Sequence, residues 1–96
     1  MQNEKPHIEK TTNGGRAVIR LDAGEAEMTW RDGAAGQMIV DHTFTPPAAR
    51  GQGVAARLAD AVVAEAREAG RKIRPICPYM VDQMRDNAEE WSDVAA

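Results

Sequence analysis

The sequence has little cysteine, no long apolar run and no basic tract, and each absence narrows the class of protein. Cys77 is the single cysteine among 96 residues, so no disulfide can form within the chain, as is usual in a reducing compartment. No segment approaches the length of a membrane span, and residues 1–10 lack the apolar core of a signal peptide. We therefore expect a soluble, cytoplasmic protein without a membrane partner.

Positive charge and metal ligands are equally sparse. The formal net charge is −3, and the Lys and Arg residues are scattered, which predicts no nucleic-acid partner. His7, His42 and Cys77 lie far apart in the sequence, and no CxxC or HxxxH spacing occurs. We therefore predict no bound metal.

The overall composition is that of an ordinary globular protein, with 43% apolar and 28% charged residues. Such a chain can bury enough apolar surface to fold. A chain of 96 residues has room for one hydrophobic core. We predict one domain over residues 1–96, with an ordered core over about residues 7–94.

The first half of the chain is patterned as β-strands. Residues 13–15, Asn-Gly-Gly, suit a hairpin turn, and Ala26, Met28 and Trp30 alternate with polar residues as in a half-buried strand. The predicted strands cover residues 7–12, 16–21, 25–31 and 37–44. In the fourth, strict alternation places Met38, Val40, His42 and Phe44 on one face.

The second half changes to helical spacing. Val54, Leu58 and Val62 belong to an apolar stripe over residues 54–69, and Gly70 suits the end of that helix. A short strand over residues 72–76, a brief helix near 79–85 and a last helix after Asn87, with Glu90 as its capping partner, complete the chain. The predicted fold class is α+β, with a mixed, mostly antiparallel sheet and the order β-β-β-β-α-β-α.

The segment between the fourth strand and the long helix carries the chemical signal. The first N–H groups of a helix lack intrahelical acceptors, and the helix dipole is positive there. Gly51 and Gly53 let a ligand approach the backbone, and Arg50 adds a cation. We interpret the loop as a phosphate or pyrophosphate site. A plain turn, or a site for another nucleotide, would use the same residues.

The segment from Pro46 to Leu58 resembles the signature of the GNAT N-acetyltransferase superfamily, Gln/Arg-x-x-Gly-x-Gly/Ala. Gly51 and Gly53 match its glycines, whereas Ala48 stands where the signature has Gln or Arg. Together with Asp41-His42-Thr43 and the Cys77–Tyr79 stretch, the chain is similar to minimal, YjdJ-type members of the superfamily. The resemblance implies a curved sheet that opens where acetyl-coenzyme A (acetyl-CoA) inserts.

Acetyl-CoA is thus the implied co-substrate, with its pyrophosphate on the loop and its thioester beside the fourth strand, residues 39–44. Residues expected to bind it are Phe44, Thr45, Arg50, Gly51, Gln52, Gly53, Val54 and Ala55.

Three side chains are candidates for the transfer chemistry, which needs a base for the amine and an acid for the leaving thiolate. His42 is the candidate base, or else a packed histidine; Glu25 and Glu27 are alternatives to it. Cys77 could take the acyl group itself, or only fill space. The resemblance implies that Tyr79 protonates the thiolate, and packing is the alternative.

The predicted function is acetyl-CoA-dependent transfer to an unidentified amine, either a small molecule or a protein. The alternative is a module that holds CoA without turnover, which the absence of acceptor-pocket helices favours.

Overall fold

Across residues 5–96, which the computed structural model describes, five strands and two α-helices make an α+β fold. The residues before Lys5, part of the predicted domain 1–96, lie outside the described residues. In chain order the elements are β1 (His7–Thr11), β2 (Gly14–Leu21), β3 (Gly24–Asp32), β4 (Met38–Phe44), α1 (Val54–Ala69), β5 (Ile73–Pro75) and α2 (Pro78–Asp86). The predicted fold class and element order are confirmed, and α1 has the predicted bounds. Short 3-10 turns at Ala34–Gly36 and Pro47–Ala49 were not predicted.

The sheet has the strand order β1-β2-β3-β4-β5. The first four strands pair antiparallel, and β4 pairs parallel with β5. A parallel pair needs a crossover connection, and α1 supplies it. Gly70 ends α1 in the left-handed conformation, with φ 68°, as its position predicts.

One face of the sheet, here called the inner face, packs against α1. The predicted inward set Ala26, Met28 and Trp30 on β3 is buried there, as are Ala17 and Ile19 on β2. The helix buries an apolar stripe against them, made of Val54, Leu58, Ala59, Val62, Val63 and Ala66. Neither helix in the described part of the chain has the length and apolar character needed to cross a bilayer.

The opposite, outer face is covered by ion pairs. Val18 lies on this outer face, because successive strand residues alternate and its neighbours Ala17 and Ile19 point towards α1. Its side chain is nevertheless fully buried. Around it lies a set of charged side chains, here called the outer-face ion network: Glu9, Arg16, Arg20, Glu25 and Glu27. Arg16 lies 2.8 Å from both Glu9 and Glu27, so polar groups enclose an apolar one.

A β-bulge changes the faces of β4. Thr29 pairs with His42, but the next residue, Trp30, pairs with Val40, which leaves Asp41 as the extra residue. The Thr29 hydroxyl donates to Asp41 Oδ1 at 2.6 Å, so Asp41 lies on the outer face. The prediction that Val40, His42 and Phe44 lie on one face is therefore wrong, because the alternation of side chains restarts after the bulge.

The predicted last helix after Asn87 is also wrong. Residues 87–94 form hydrogen-bonded turns, and the Asn87 side chain donates to the Gln83 carbonyl at 2.8 Å. Asn87 thus caps the end of α2 rather than the start of a new helix. Trp91 and Val94 still reach the core, and the Ile73 N–H donates to the Val94 carbonyl at 2.6 Å, so burial and a backbone bond to β5 hold this segment.

Candidate functional site

The sheet opens at the point where β4 and β5 separate. Their pairing ends at Val40 and Pro75, and the Val40 carbonyl then accepts both the Ile76 and Cys77 N–H groups at 2.9 and 3.0 Å. Beyond this point β4 continues to Phe44, while the segment after β5 turns into α2. The two segments therefore diverge and leave a gap beside the second half of β4.

Two adjoining clefts occupy this side of the molecule. The loop cleft, of about 240 Å³, is lined by Thr45, Ala49, Arg50, Gly51, Gly53, Val54, Ala55, Ala56 and Tyr79. The strand cleft, of about 380 Å³, is lined by Thr43, Phe44, Thr45, Arg50, Ala55, Cys77, Pro78 and Tyr79. Because four residues line both clefts, the clefts form one continuous groove from the start of α1 to Cys77.

The backbone at the start of α1 is open to a ligand. Gly51 and Gly53 have φ of 81° and 77°, and apart from each glycine and its chain neighbours no heavy atom of the described residues lies within 4 Å of a Cβ built on either. The first helical bond runs from Arg57 N–H to the Gly53 carbonyl at 3.2 Å, so the three preceding N–H groups lack an intrahelical acceptor. Together with the helix dipole, this geometry fits a phosphate group.

Arg50 joins the loop to the end of β4. Its Nε donates to the Thr45 carbonyl at 3.0 Å, and the residue lines both clefts. Gln52 is different, because its amide lies 3.5 Å from the Ala48 carbonyl and the residue lines neither cleft. The other residues predicted to bind acetyl-CoA all line the groove.

Cys77 and Tyr79 lie together in the strand cleft. Cys77 is 7% exposed, and its Sγ lies 3.2 Å from Thr43 Oγ1. Desolvation raises the pKa of Tyr79, and electrostatic interaction with Asp60 and Cys77 adds to the effect. The Tyr79 hydroxyl therefore keeps its proton at neutral pH and can donate it.

His42 lies on the outer face, away from the residues that line the groove. Its ring is 57% exposed, and Nε2 lies 3.7 Å from Glu27 Oε2. The structure thus brings Cys77 and Tyr79 together but places His42 on the other side of β4. The alternative bases Glu25 and Glu27 belong to the outer-face ion network.

Thr43 is a groove residue that the sequence analysis placed only within the strand beside the thioester, residues 39–44, without a role of its own. Strict alternation in β4 puts Thr43 outward, whereas the bulge turns it inward, opposite Met28. A signal was present only in the polar run Asp41-His42-Thr43, which fits no simple alternation. Within residues 5–96, no group of three or more His, Cys, Asp and Glu side chains could hold a metal ion.

The mixed sheet, the crossover helix with its open N-terminus and the groove between β4 and β5 define an acyltransferase type of fold. Residues 16–94 match the family model of the GCN5-related N-acetyltransferases. The chain therefore belongs to this family, whose members transfer acetyl groups from acetyl-CoA. The resemblance seen in the sequence is confirmed. Among curated proteins, no sequence matches this chain.

Two solved structures share the fold. A GCN5-like candidate N-acetyltransferase from Staphylococcus aureus, solved by NMR, aligns over 100% of this chain and 91% of its own, with 26% identity and a TM-score of 0.63. The crystal structure of a ribosomal-protein-alanine N-acetyltransferase from Brucella melitensis biovar Abortus 2308 aligns over 90% of this chain and 64% of its own, with 22% identity and a TM-score of 0.62. The second likeness concerns the fold alone.

Proposed function

We propose that this chain is an acetyl-CoA-dependent N-acyltransferase that moves an acetyl group to an amine. Family membership supports acyl transfer. The observation that carries the finer proposal is the continuity of the groove. It begins at the open glycine backbone of Gly51 and Gly53 and ends at Cys77 and Tyr79, so one extended ligand can reach both ends.

The residues of the groove fit the two ends of acetyl-CoA. Its pyrophosphate would lie on the N–H groups at the start of α1, where Arg50 adds positive charge. Gln52 would contribute through its backbone. Thr45, Phe44 and Ala55 would line the path towards the thioester. This arrangement uses the backbone for the phosphates and therefore needs no side chain at Ala48.

The chemistry proposed for the groove is attack by an amine on the thioester carbon. A bond from nitrogen to the carbonyl carbon forms, the bond from that carbon to the CoA sulfur breaks, and the sulfur leaves as a thiolate. Tyr79 would donate its proton to this sulfur, which is supported by its position in the lining of both clefts. Because the His42 ring lies on the outer face, it would take the proton only from an amine that reaches the thioester through the gap between β4 and β5.

Cys77 offers a second route, because it lines the strand cleft. In that route Cys77 takes the acetyl group first, and the amine receives it from the cysteine. A non-catalytic CoA-binding module would use the same groove without either transfer. The routes share the binding step and differ in what happens to the thioester.

The test combines binding and turnover in the purified protein. Calorimetry with acetyl-CoA measures binding, and a thiol reagent measures CoA release with and without a panel of amines. We expect binding and amine-dependent release. Binding without release, and without an acetyl adduct on Cys77 in the intact-mass spectrum, would identify a binding module. Absence of binding would contradict both.

A further inference from the structure

Thr43 contacts Cys77 inside the strand cleft. Its Oγ1 lies 3.2 Å from Cys77 Sγ, within hydrogen-bonding distance, and either atom can be the donor. The residues are 34 positions apart, so the contact is made by the tertiary fold. A hydroxyl is both donor and acceptor, and it can therefore serve the sulfur as a thiol and as a thiolate.

The fold fixes both partners of this contact. On one side, the bulge turns Thr43 inward, where it pairs with Met28 across β3 and β4. On the other side, the Cys77 N–H donates to the Val40 carbonyl at 3.0 Å, and Pro78 begins α2 directly after it. The sulfur and the hydroxyl are thus held by two separate elements, and both residues line the same cleft.

We propose that Thr43 is the positioning residue for Cys77. Its hydroxyl directs the sulfur into the strand cleft and donates a hydrogen bond to the thiolate, and hydrogen bonds to charged groups are the strong ones. Two other ionisable side chains line this cleft, Arg50 and Tyr79. Neither side chain hydrogen-bonds to Cys77, so among residues 5–96 the direct polar contact of the sulfur is that with Thr43.

The inference rests on the proposed function, in its Cys77 route. There the thiolate sulfur of Cys77 forms a bond to the thioester carbon, and the bond from that carbon to the CoA sulfur breaks. CoA leaves as a thiolate and takes up, through solvent, the proton that Cys77 lost. Thr43 makes no bond to the acyl group, and its effect is on the direction and charge of the attacking sulfur.

Two substitutions separate the hydroxyl from the shape of Thr43. Thr43→Val keeps the volume and removes the hydroxyl, whereas Thr43→Ser keeps the hydroxyl and removes a methyl group. The measurement is the rate of Cys77 alkylation by iodoacetamide at pH 7.5, in which sulfur displaces iodide. Thr11→Val, on the exposed strand β1, is the control for the same chemical change.

We expect Thr43→Val to slow alkylation by about tenfold, the effect of one hydrogen bond to a charged group, and Thr43→Ser to react at nearly the wild-type rate. The inference would be overturned if Thr43→Ser reacted more slowly than Thr43→Val, or if Thr43→Val reacted as fast as the wild type. It would also be overturned if the wild-type thiol did not react. Calorimetry with acetyl-CoA on the wild type tests the proposed function separately. Failure to bind would reject that function whatever the alkylation ranking.

Discussion

Arg16 and Glu27 lie on adjacent strands, with the Nη1 of one 2.8 Å from the Oε1 of the other, and they form the centre of the outer-face ion network. Arg16 also contacts Glu9 and Glu25. The shared guanidinium lets three carboxylates lie close together above Val18. The sheet therefore presents a polar surface on the face opposite α1 while one apolar side chain stays fully buried beneath it.

This network predicts a defined acid sensitivity. Hydrogen bonds from Arg20 and then Arg16 hold the pKa of Glu9 below its ordinary value. A carboxyl whose folded pKa is lowered stabilises the fold above the unfolded pKa, near 4.3 for Glu, and this stabilisation is lost as the pH falls through the folded pKa. Glu9→Gln should therefore lower the urea midpoint at pH 7 more than at pH 3.

The control for this experiment is Glu68→Gln, at an exposed position near the end of α1. Its midpoint should move little at either pH, since an exposed carboxylate contributes little to stability. An equal effect of Glu9→Gln at both pH values would contradict the role given to the arginines.

A second prediction concerns the glycine backbone at the start of α1. Gly53→Val places a branched side chain where a phosphate would approach, and it should weaken CoA binding by at least about tenfold, or 1.4 kcal/mol. Gly36→Val is a matched control, because Gly36 has φ of 76° and equally open surroundings but lies in the turn between β3 and β4. Both variants carry the same backbone strain.

Calorimetry with CoA compares the two glycine variants, and circular dichroism checks that both are folded. A similar loss of affinity in both would mean that backbone strain, and not the phosphate site, causes it. Unchanged binding in Gly53→Val would place the ligand elsewhere.

A third prediction concerns Arg50. A cation near a phosphate makes affinity depend on ionic strength, so Arg50→Ala should bind CoA more weakly and with a shallower dependence on salt. Arg57→Ala, on the first turns of α1 but outside the groove-lining residues, serves for comparison. Binding titrations between 50 mM and 500 mM NaCl give the two slopes. Parallel slopes for Arg50→Ala and wild type would assign Arg50 to loop structure through its bond to Thr45.

A fourth prediction separates the routes of transfer. With an accepted amine, Cys77→Ala should keep turnover if transfer is direct and abolish it if the acetyl group passes through the cysteine. Under direct transfer, His42→Ala should lower the rate by roughly 10² to 10⁴, the usual contribution of a general base. Tyr79→Phe should slow CoA release when thiolate departure limits the rate. Turnover unchanged in all three variants would rule out each of these roles.

Local chemistry was sufficient to predict much of this molecule. The apolar stripe of α1 and the Gly70 that ends it gave the helix its correct bounds, because both depend on residues within the helix itself. Gly51 and Gly53 likewise predicted an open loop backbone, because a positive φ is favoured by glycine itself and does not depend on distant contacts.

The parts that could not be predicted depend on contacts between distant segments. A pattern that assumes strict alternation cannot predict an extra residue within a strand. The bulge in β4 is stabilised by a hydrogen bond between Thr29 and Asp41, which lie on different strands. The inward direction of Thr43, and hence its contact with Cys77, follows from that bulge. Asn87 looked like a helix start because the same amide that caps a first turn can instead bond to the turn before it.

The bulge gives β4 a site of tolerance for length change. Without Asp41, plain alternation from Val40 would still place His42 outward and Thr43 inward, so loss of this one residue keeps the direction of the side chains that follow it. The same change two residues later would invert every side chain that follows.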